Sequence, residues 1–380
     1  MRRNLLLTPG PTQVPPIISE ALSRPIIHHR TPEFQNYLKE AEEGLKYIFQ
    51  TQNDVFILAS SGTGAMEASV CNLLSAGDKA ITIEGGKFGE RWTEICQAYG
   101  IKTQVIKVEW GRDVQPQQIK KILDSDQSIK AVLCTLCETS TGVTSNIEAI
   151  GKIVKETDAV LVVDAVSGLG VTDLKTDQWL VDVVSSASHK GLMLPPGLGF
   201  VSVSPKTLKL LEVSQSPRYY FDLREYKKAL GKVDTPYTPA IGIVIALIES
   251  LKLIKATGLE NLFKHFATLA KATRSAAKAL GLTLFAHESC ISNCLTAINL
   301  PPGIDGEKLV KRMRDTYGIS IAGGQDHLKG KVIRIAHMGC LDEYDLLTGL
   351  ACLEKVLHEM GYQFTLGSGV AAAQKYLNVK

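Results

Sequence analysis

The sequence predicts an α/β fold, in which helices cover both faces of a mostly parallel sheet and a smaller C-terminal α+β unit follows. Between about residues 35 and 200, short apolar runs alternate with amphipathic helical segments. This alternation is typical of a parallel sheet that is buried on both faces. After about residue 240, two long helical segments precede a shorter series of strands and helices, which indicates a separate α+β unit.

The larger unit starts with the apolar run DVFILAS, which reads as a buried strand. Further strands of this kind are predicted over 79–85, 102–108, 130–138, 159–168, 181–188 and 197–204. The segments between them have apolar residues at helical spacing. They predict helices over 64–75, 90–100, 117–125 and 146–157.

The C-terminal part contains fewer and shorter strands. Helices are predicted over 242–258, 261–281, 306–318 and 344–361, and strands over 292–300, 319–324 and 331–337. The last stretch, 368–380, reads either as a helix or as a frayed tail. A chain of 380 residues is too long to fold around one simple hydrophobic core. We expect an N-terminal arm (1–15), a large domain (16–255) and a small domain (256–380).

The composition is that of an ordinary soluble globular protein, with 45% hydrophobic, 6% aromatic and 21% charged residues. A formal net charge of +3 is too balanced to indicate nucleic acid or an anionic membrane surface as a partner. The N-terminus lacks the apolar core of a signal peptide. No apolar run reaches the roughly 18 residues of a membrane span.

The eight cysteines are scattered along the chain, and several lie in apolar segments. They predict reduced, buried thiols in a cytoplasmic protein. Cys134 and Cys137 have CxxC spacing, but a second pair is missing, so we do not expect a metal site.

Ligands of open parallel sheets bind at the carboxyl ends of the strands, and the first strand end carries SGTGAME. Ser61 and Thr63 add hydroxyls to a helix N-terminus, and Gly62 and Gly64 allow a close approach to the backbone. This arrangement can cradle a phosphate. An ordinary helix N-cap explains it equally well.

Other strand ends also carry polar or aromatic residues. Asp164 closes an apolar strand, and either a cation, a backbone N–H or a ligand must compensate a carboxylate there. Glu138, Thr139 and Ser140 follow another strand, where turn chemistry is the alternative. Phe88 offers a flat face for stacking, or else packs in the core.

Lys190 lies in SSASHKGLMLPPGLGF, between a buried strand and an apolar Pro-Pro-Gly turn. An unpaired buried ammonium is costly, so the amine needs either a partner or a chemical role. One ligand satisfies all these strand ends, namely pyridoxal 5′-phosphate. Its aldehyde forms a Schiff base with a lysine, and its pyridinium nitrogen pairs with a carboxylate. Its phosphate needs an anion-binding site, and its ring needs an aromatic face to stack on.

The sequence resembles the class V, fold-type I aminotransferases, and within them the alanine/serine–glyoxylate (serine–pyruvate) branch. This resemblance implies a seven-stranded, mostly parallel sheet in the large domain. The matching motifs span almost the whole chain in the order of the family. They are LTPGPTQVPP, HHRTPEF, SSGTGAMEA, GGKFGERW, ETSTGV, VVDAVSG, SASHKGLMLPPGLG, TPYTPA and VIRIAHMG.

The resemblance implies roles around the cofactor ring. Lys190 would be the Schiff-base lysine and the base for 1,3-proton transfer, and Asp164 would pair with the ring nitrogen. Phe88 takes the stacking position, where close relatives often have Trp. Val166 would pack under the ring, and Thr139 would reach the region of the ring hydroxyl.

The resemblance also implies which residues hold the phosphate. Ser61, Gly62 and Thr63 would bind it, and His189 would lie near it where relatives often have Gln. Thr238 would reach the phosphate of the neighbouring subunit. The active site would then be shared in a homodimer.

Residues for the substrate follow from the same resemblance. Arg334 would bind the α-carboxylate, for which a guanidinium fork is well suited; a surface strand arginine is the alternative. Gly10 would lie at the substrate mouth, where a side chain would block the amino acid. His28, His29 and Arg30 either line the entrance, bind a second carboxylate or form a structural loop.

The reaction implied is a ping-pong transamination from alanine or serine to glyoxylate or pyruvate. The main alternative is a class V aspartate aminotransferase, which would need a second cation such as Arg30 or a histidine. A cysteine desulfurase needs a cysteine on a mobile loop, and Cys340, Cys290 and Cys294 do not fit that place well. A nicotinamide dehydrogenase is not favoured, because the sequence has no suitable acidic residue to bind the ribose of the cofactor. The presence of Lys190, Asp164 and Arg334 argues against a non-catalytic binding protein.

Overall fold

The computed structural model describes residues 4–377. The strands in this range, numbered along the chain, are β1 (Leu5–Leu6), β2 (Asp54–Ser60), β3 (Lys79–Glu84), β4 (Lys102–Lys107), β5 (Ile129–Thr135), β6 (Cys137–Glu138), β7 (Val143–Thr144), β8 (Val160–Asp164), β9 (Val183–Ala187), β10 (Gly197–Val203), β11 (Thr283–Leu284), β12 (Leu295–Asn299), β13 (Ile319–Ser320), β14 (Ala322–Gly323) and β15 (Val332–Ala336).

The α-helices of the same range are numbered in the same way. They are α1 (Pro16–Leu22), α2 (Pro32–Phe49), α3 (Gly62–Leu73), α4 (Lys87–Ala98), α5 (Pro116–Ser125), α6 (Ile147–Val154), α7 (Pro205–Val213), α8 (Leu223–Leu230), α9 (Ile241–Thr257), α10 (Leu259–Ala279), α11 (Gly306–Tyr317), α12 (Glu343–Glu359) and α13 (Ser368–Leu377). Two 3-10 turns cover Glu288–Cys290 and Asp326–Leu328.

The large sheet has seven strands in the order β2-β10-β9-β8-β5-β3-β4. The pairs among β9, β8, β5, β3 and β4 are parallel, whereas β10 runs antiparallel to both β9 and β2. Six strands therefore share one direction. The predicted mostly parallel, seven-stranded sheet is confirmed.

Both faces of this sheet are buried, which explains why its strands are apolar without alternation. In β5, Val132 and Cys134 belong to the core on one face, and Ala131 and Leu133 belong to the core on the other. Helices α2, α5, α6 and α9 supply the first core, and α3, α4, α7 and α8 supply the second. The core therefore forms two layers with the sheet between them.

The C-terminal part is built on a four-stranded antiparallel sheet in the order β11-β12-β15-β14. Helices α10, α11, α12 and α13 pack against it in a third core. The segment 368–377 is helical, as one of the two interpretations predicted. Strand β1 pairs in parallel with β13, so the start of the chain joins this part of the structure.

The predicted division at 255/256 falls near the end of α9 (Ile241–Thr257), and the three-part division stays a prediction. None of the helices within residues 4–377 has the length and hydropathy that a membrane crossing requires. In the same range, no three His, Cys, Asp or Glu side chains gather where they could hold a metal ion. All eight cysteines are unpaired, and six of them are buried.

Candidate active site

Three of the segments predicted to form the site meet at the carboxyl edge of the seven-stranded sheet. Asp164 ends β8, and Ser61 directly follows β2. Because β10 runs against its neighbours, the β9–β10 loop (188–196) also lies at this edge, and it carries Lys190. The topology therefore brings together three segments that are far apart in the sequence.

Lys190 is buried beneath the N-terminal segment. Its Nζ donates a hydrogen bond to the carbonyl of Pro9, and the hydroxyl of Thr12 donates to the Lys190 carbonyl over 3.0 Å. A side chain at Gly10, whose φ is +116°, would overlap the Lys190 amine. Burial lowers the pKa of this amine from 10.5 to about 8, although the charge of Asp164 acts in the opposite direction.

Asp164 is a buried carboxylate without a cationic partner. One oxygen accepts the backbone N–H of Val166 over 2.8 Å, and no lysine or arginine within residues 4–377 forms an ion pair with it. Burial raises the pKa of this carboxyl from 3.8 to about 7, whereas the positive charge of Lys190 lowers it. The site therefore contains a carboxylate that a bound cation would stabilise.

The N-terminus of α3 is open toward the site. Ser61 stands at its N-cap position, but its side chain does not cap the helix. A Cβ at Gly62 would lie 2.7 Å from a methyl group of Val166, so the chain has room only for glycine there. The Thr63 hydroxyl accepts a hydrogen bond from the Arg91 guanidinium over 3.2 Å.

His189 lies beside Lys190 with its Nδ1 atom buried and without a hydrogen-bond partner. Burial, together with the charge of Lys190, lowers the pKa of its imidazole to about 4, so the ring is neutral at pH 7. An orphaned buried polar atom normally indicates a missing partner.

Phe88 is presented by the first turn of α4, which Glu138 anchors. One Glu138 oxygen accepts the N–H groups of Phe88 and Gly89 over 3.0 and 2.9 Å. The other accepts the N–H and the hydroxyl of Ser140 over 3.0 and 2.5 Å. The Arg91 guanidinium lies over the Phe88 ring, 4.9 Å from its centroid.

Arg334 reaches the site from β15 in the second sheet. Its Nη1 donates to the carbonyl of Thr139 over 2.6 Å, and its Nε donates to that of Gly323 over 2.8 Å. Its Nη2 has no hydrogen-bond partner within the described residues. Burial lowers the pKa of this guanidinium to about 10, against the opposing charge of Glu138, and one side of the cation is left for a ligand.

Four predicted residues lie at the surface or near it. Thr238 is exposed on the loop before α9. The rings of His28 and His29 stack with centroids 5.0 Å apart, and Arg30 forms an ion pair with Asp234. These contacts fit a structural loop, whereas a place for the HHR segment at the entrance or on a second carboxylate, like the function of Thr238, stays a prediction.

The residues present fit pyridoxal 5′-phosphate. The uncompensated carboxylate of Asp164 suits a protonated ring nitrogen, and the buried amine of Lys190 suits its aldehyde. The open helix N-terminus at Gly62 and the orphaned Nδ1 of His189 suit a phosphate. Val166 and Phe88 offer apolar surface for the ring.

Sequence reasoning did not single out Arg91 as part of the site. It stands three residues after Phe88 on α4, a spacing that places both on one helix face. This spacing is the sequence feature that could have indicated that Arg91 lies beside Phe88. Pro9, Thr12 and Gly323, which hold Lys190 and Arg334 in place, act through backbone groups or a long-range contact, and local sequence gives no sign of this.

Comparisons with known proteins identify the family of this chain. The family model "Aminotransferase class-V" matches residues 8–338. A protein of Synechococcus sp. named "Soluble hydrogenase, small subunit" is 45% identical, and the match covers 98% of each chain. An L-aspartate–glyoxylate aminotransferase of Paracoccus denitrificans is 38% identical, with 98% of this chain and 96% of that one covered.

A serine–glyoxylate aminotransferase of Methylorubrum extorquens is also 38% identical, over 99% of this chain and 96% of that one. Among solved structures, a ureidoglycine–glyoxylate aminotransferase of Bacillus subtilis superposes with a TM-score of 0.95 at 29% identity, and 99% and 98% of the two chains are covered. An alanine–glyoxylate aminotransferase of Nostoc sp. gives a TM-score of 0.91 at 28% identity, covering 94% and 96%. The chain thus has the fold-type I architecture, belongs to the class V aminotransferase family, and is a transaminase that uses pyridoxal 5′-phosphate.

Proposed function

We propose that this transaminase moves the amino group of a small L-amino acid, alanine or serine, to glyoxylate or pyruvate in a ping-pong reaction. The observation that carries the proposal is the placement of Lys190, a buried amine at the same strand edge as the Asp164 carboxylate and the Arg334 guanidinium. A base, an acceptor for the ring nitrogen and a carboxylate-binding cation are the three groups that amino-acid transamination requires.

The bound cofactor supplies an electron sink for the bonds at the substrate α-carbon. Lys190 would hold the cofactor by its aldehyde, and the amine of Lys190 would move the proton at the substrate α-carbon. Because the pKa of Lys190 is lowered to about 8 by burial, a useful fraction of the amine is neutral at physiological pH. Asp164 would pair with the ring nitrogen and keep it protonated, and a cation beside this carboxyl would lower its pKa again.

Arg334 orients the substrate. Two of its nitrogens are fixed on the carbonyls of Thr139 and Gly323, so the plane of the guanidinium is set before a ligand arrives. The free Nη2 edge then receives the α-carboxylate. Fixing the carboxylate in this way aligns the α-proton with Lys190.

A small donor fits the charges on this chain better than aspartate does. Aspartate needs a second cation, and the candidate Arg30 is already paired with Asp234 and with the carbonyl of Thr235. The names of the relatives include both serine–glyoxylate and aspartate–glyoxylate aminotransferases. Glyoxylate is common to both, which supports it as the acceptor.

The protein is proposed to act as a homodimer in the cytoplasm. The exposed position of Thr238 agrees with a residue that reaches a neighbouring subunit. The eight unpaired cysteines agree with a reducing compartment. In this assembly each phosphate would be held by both chains.

The visible spectrum of the purified protein with cofactor tests the central assignment. A visible band should be present and should fade when L-serine or L-alanine is added, but not with L-aspartate. Borohydride reduction followed by peptide mass spectrometry should place the cofactor on Lys190. Lys190→Ala should abolish this covalent label, whereas Lys152→Ala, at an exposed helix position, should not.

Each alternative gives a different result. Fading with aspartate alone would favour the aspartate aminotransferase. A protein that shows no visible band with added cofactor, or a label that survives in Lys190→Ala, would exclude the proposed role of Lys190.

A further inference from the structure

Arg91 has an unusual electrostatic position. Its guanidinium donates to the hydroxyl of Thr63, in the first turn of α3, over 3.2 Å. The N-terminus of a helix carries a partial positive charge, so a cation there is unfavourable by itself. No carboxylate within residues 4–377 forms an ion pair with Arg91, and Asp164 acts on it only through space, without a direct contact.

Two elements that enclose the predicted ring and phosphate positions meet at this residue. Arg91 belongs to α4 and covers the Phe88 ring, with 4.9 Å between the guanidinium carbon and the ring centroid. Its hydrogen bond joins α4 to Thr63 on α3. One side chain therefore links the predicted stacking residue to the helix that is predicted to bind the phosphate.

The direction of the hydrogen bond fixes the chemistry of the Thr63 hydroxyl. A hydroxyl group has one hydrogen to donate and two lone pairs to accept with. The Arg91 N–H occupies a lone pair, so the hydroxyl hydrogen remains for an acceptor. A hydroxyl that accepts from a cation is also polarised and donates more strongly.

We propose that Arg91 is a positioning residue for the cofactor phosphate, acting through Thr63. It orients and polarises the Thr63 hydroxyl as a donor to the phosphate, and its positive charge is compensated by that anion. The inference rests on the proposed cofactor site and adds a residue to it.

The test compares two ligands that differ in the phosphate alone. Equilibrium dissociation constants of pyridoxal 5′-phosphate and of pyridoxal are measured on the apoprotein by absorbance titration. Arg91→Met should raise the constant for pyridoxal 5′-phosphate roughly ten- to hundredfold, the range for hydrogen bonds to charged groups. It should change the constant for pyridoxal less than about threefold. Arg312→Met, which removes an exposed arginine paired with Glu359, is the matched control and should change neither constant.

A double-mutant cycle separates action through Thr63 from a general structural effect. If Arg91 acts through Thr63, Arg91→Met combined with Thr63→Val should weaken binding little more than the worse single substitution. Arg91→Lys keeps the charge but loses the planar fork, and it should recover part of the affinity for pyridoxal 5′-phosphate. It also serves as the test variant if Arg91→Met fails to fold.

The results that would overturn the inference are distinct. If Arg91→Met weakened the binding of pyridoxal 5′-phosphate and of pyridoxal equally, Arg91 would act in ring stacking or in folding. If the effects of Arg91→Met and Thr63→Val on binding multiplied, Arg91 would not act through Thr63. Unchanged affinities would remove the role altogether. If the unmodified protein itself did not bind pyridoxal 5′-phosphate, the proposed function would fall together with the inference.

Discussion

At the scale of single residues, the buried carboxyl of Asp164 lowers the stability of the apoprotein at neutral pH. The pKa of Asp164 is raised from 3.8 to about 7 by burial, so the folded chain holds a proton that the unfolded chain releases. Its contribution to stability is complete below pH about 4 and is lost as the pH rises through about 7. Without cofactor, the folded chain should therefore become less stable over this interval.

Asp164→Asn should remove this pH dependence. At pH 7.5 the variant apoprotein should be more stable than the unmodified apoprotein, by up to about 4 kcal/mol for a pKa shift of this size. Urea unfolding between pH 4.5 and 7.5 measures the difference, and Asp124→Asn, which changes an exposed helix carboxylate, is the control. Parallel stability curves for Asp164→Asn and the unmodified chain would show that Asp164 is not desolvated in solution.

Arg334 should act on substrate binding more than on the chemical step. Arg334→Lys keeps the charge but loses the fork, so the apparent KM for the amino acid should rise roughly ten- to hundredfold. The change in kcat should be clearly smaller. Steady-state kinetics measures both, with Arg312→Lys as a control at an exposed position. A fall in kcat at constant KM would instead place Arg334 in the proton-transfer step.

At the scale of elements, the first turn of α4 depends on a residue from another part of the chain. Glu138 is 5% exposed and accepts two hydrogen bonds from this turn, from the N–H groups of Phe88 and Gly89, and two more from Ser140. Glu138→Ala should leave these buried donors unsatisfied and cost about 2–4 kcal/mol of stability. Chemical unfolding tests this, with Glu94→Ala on the exposed face of the same helix as control. Equal effects of the two substitutions would contradict the anchoring role.

The elements also show how far local sequence determines this site. The strands β5 and β8 were predictable because burial on two faces requires uninterrupted apolar runs. Asp164 and Lys190 stood out because a charge in such surroundings must be compensated. The contact of Arg91 with Thr63 was not predictable, since α3 and α4 meet through packing that no local pattern encodes.

At the scale of the whole molecule, the site lies where the two sheets meet. Arg334 from β15 bonds to the carbonyl of Thr139 beyond the end of the large sheet. Two further contacts join the same parts of the chain: Lys87 at the start of α4 forms an ion pair of 3.0 Å with Asp326, and the rings of Trp110 and His327 lie 4.5 Å apart. A shift of the second sheet would therefore move Arg334 relative to Lys190, so substrate orientation depends on the packing of the whole chain.

The predicted sharing of the site between subunits can be tested by complementation. Lys190→Ala removes the base, and Thr238→Glu places a negative charge where the partner's phosphate is expected. In a hybrid dimer of the two variants, one site would contain Lys190 and an unmodified Thr238 from different chains. Because a symmetric dimer has two equivalent sites, the hybrid should show about half of the unmodified activity, as should a hybrid of unmodified and Lys190→Ala chains.

Co-expression with two different affinity tags isolates these hybrids, and light scattering establishes that they are dimers. A shared site predicts one fully functional site in the hybrid dimer, whereas a site formed by a single chain predicts none. If Thr238 served the site of its own chain, every site in the hybrid would carry one of the two defects. The activity of the hybrid would then not exceed that of the Thr238→Glu homodimer, and the phosphate site would belong to a single chain.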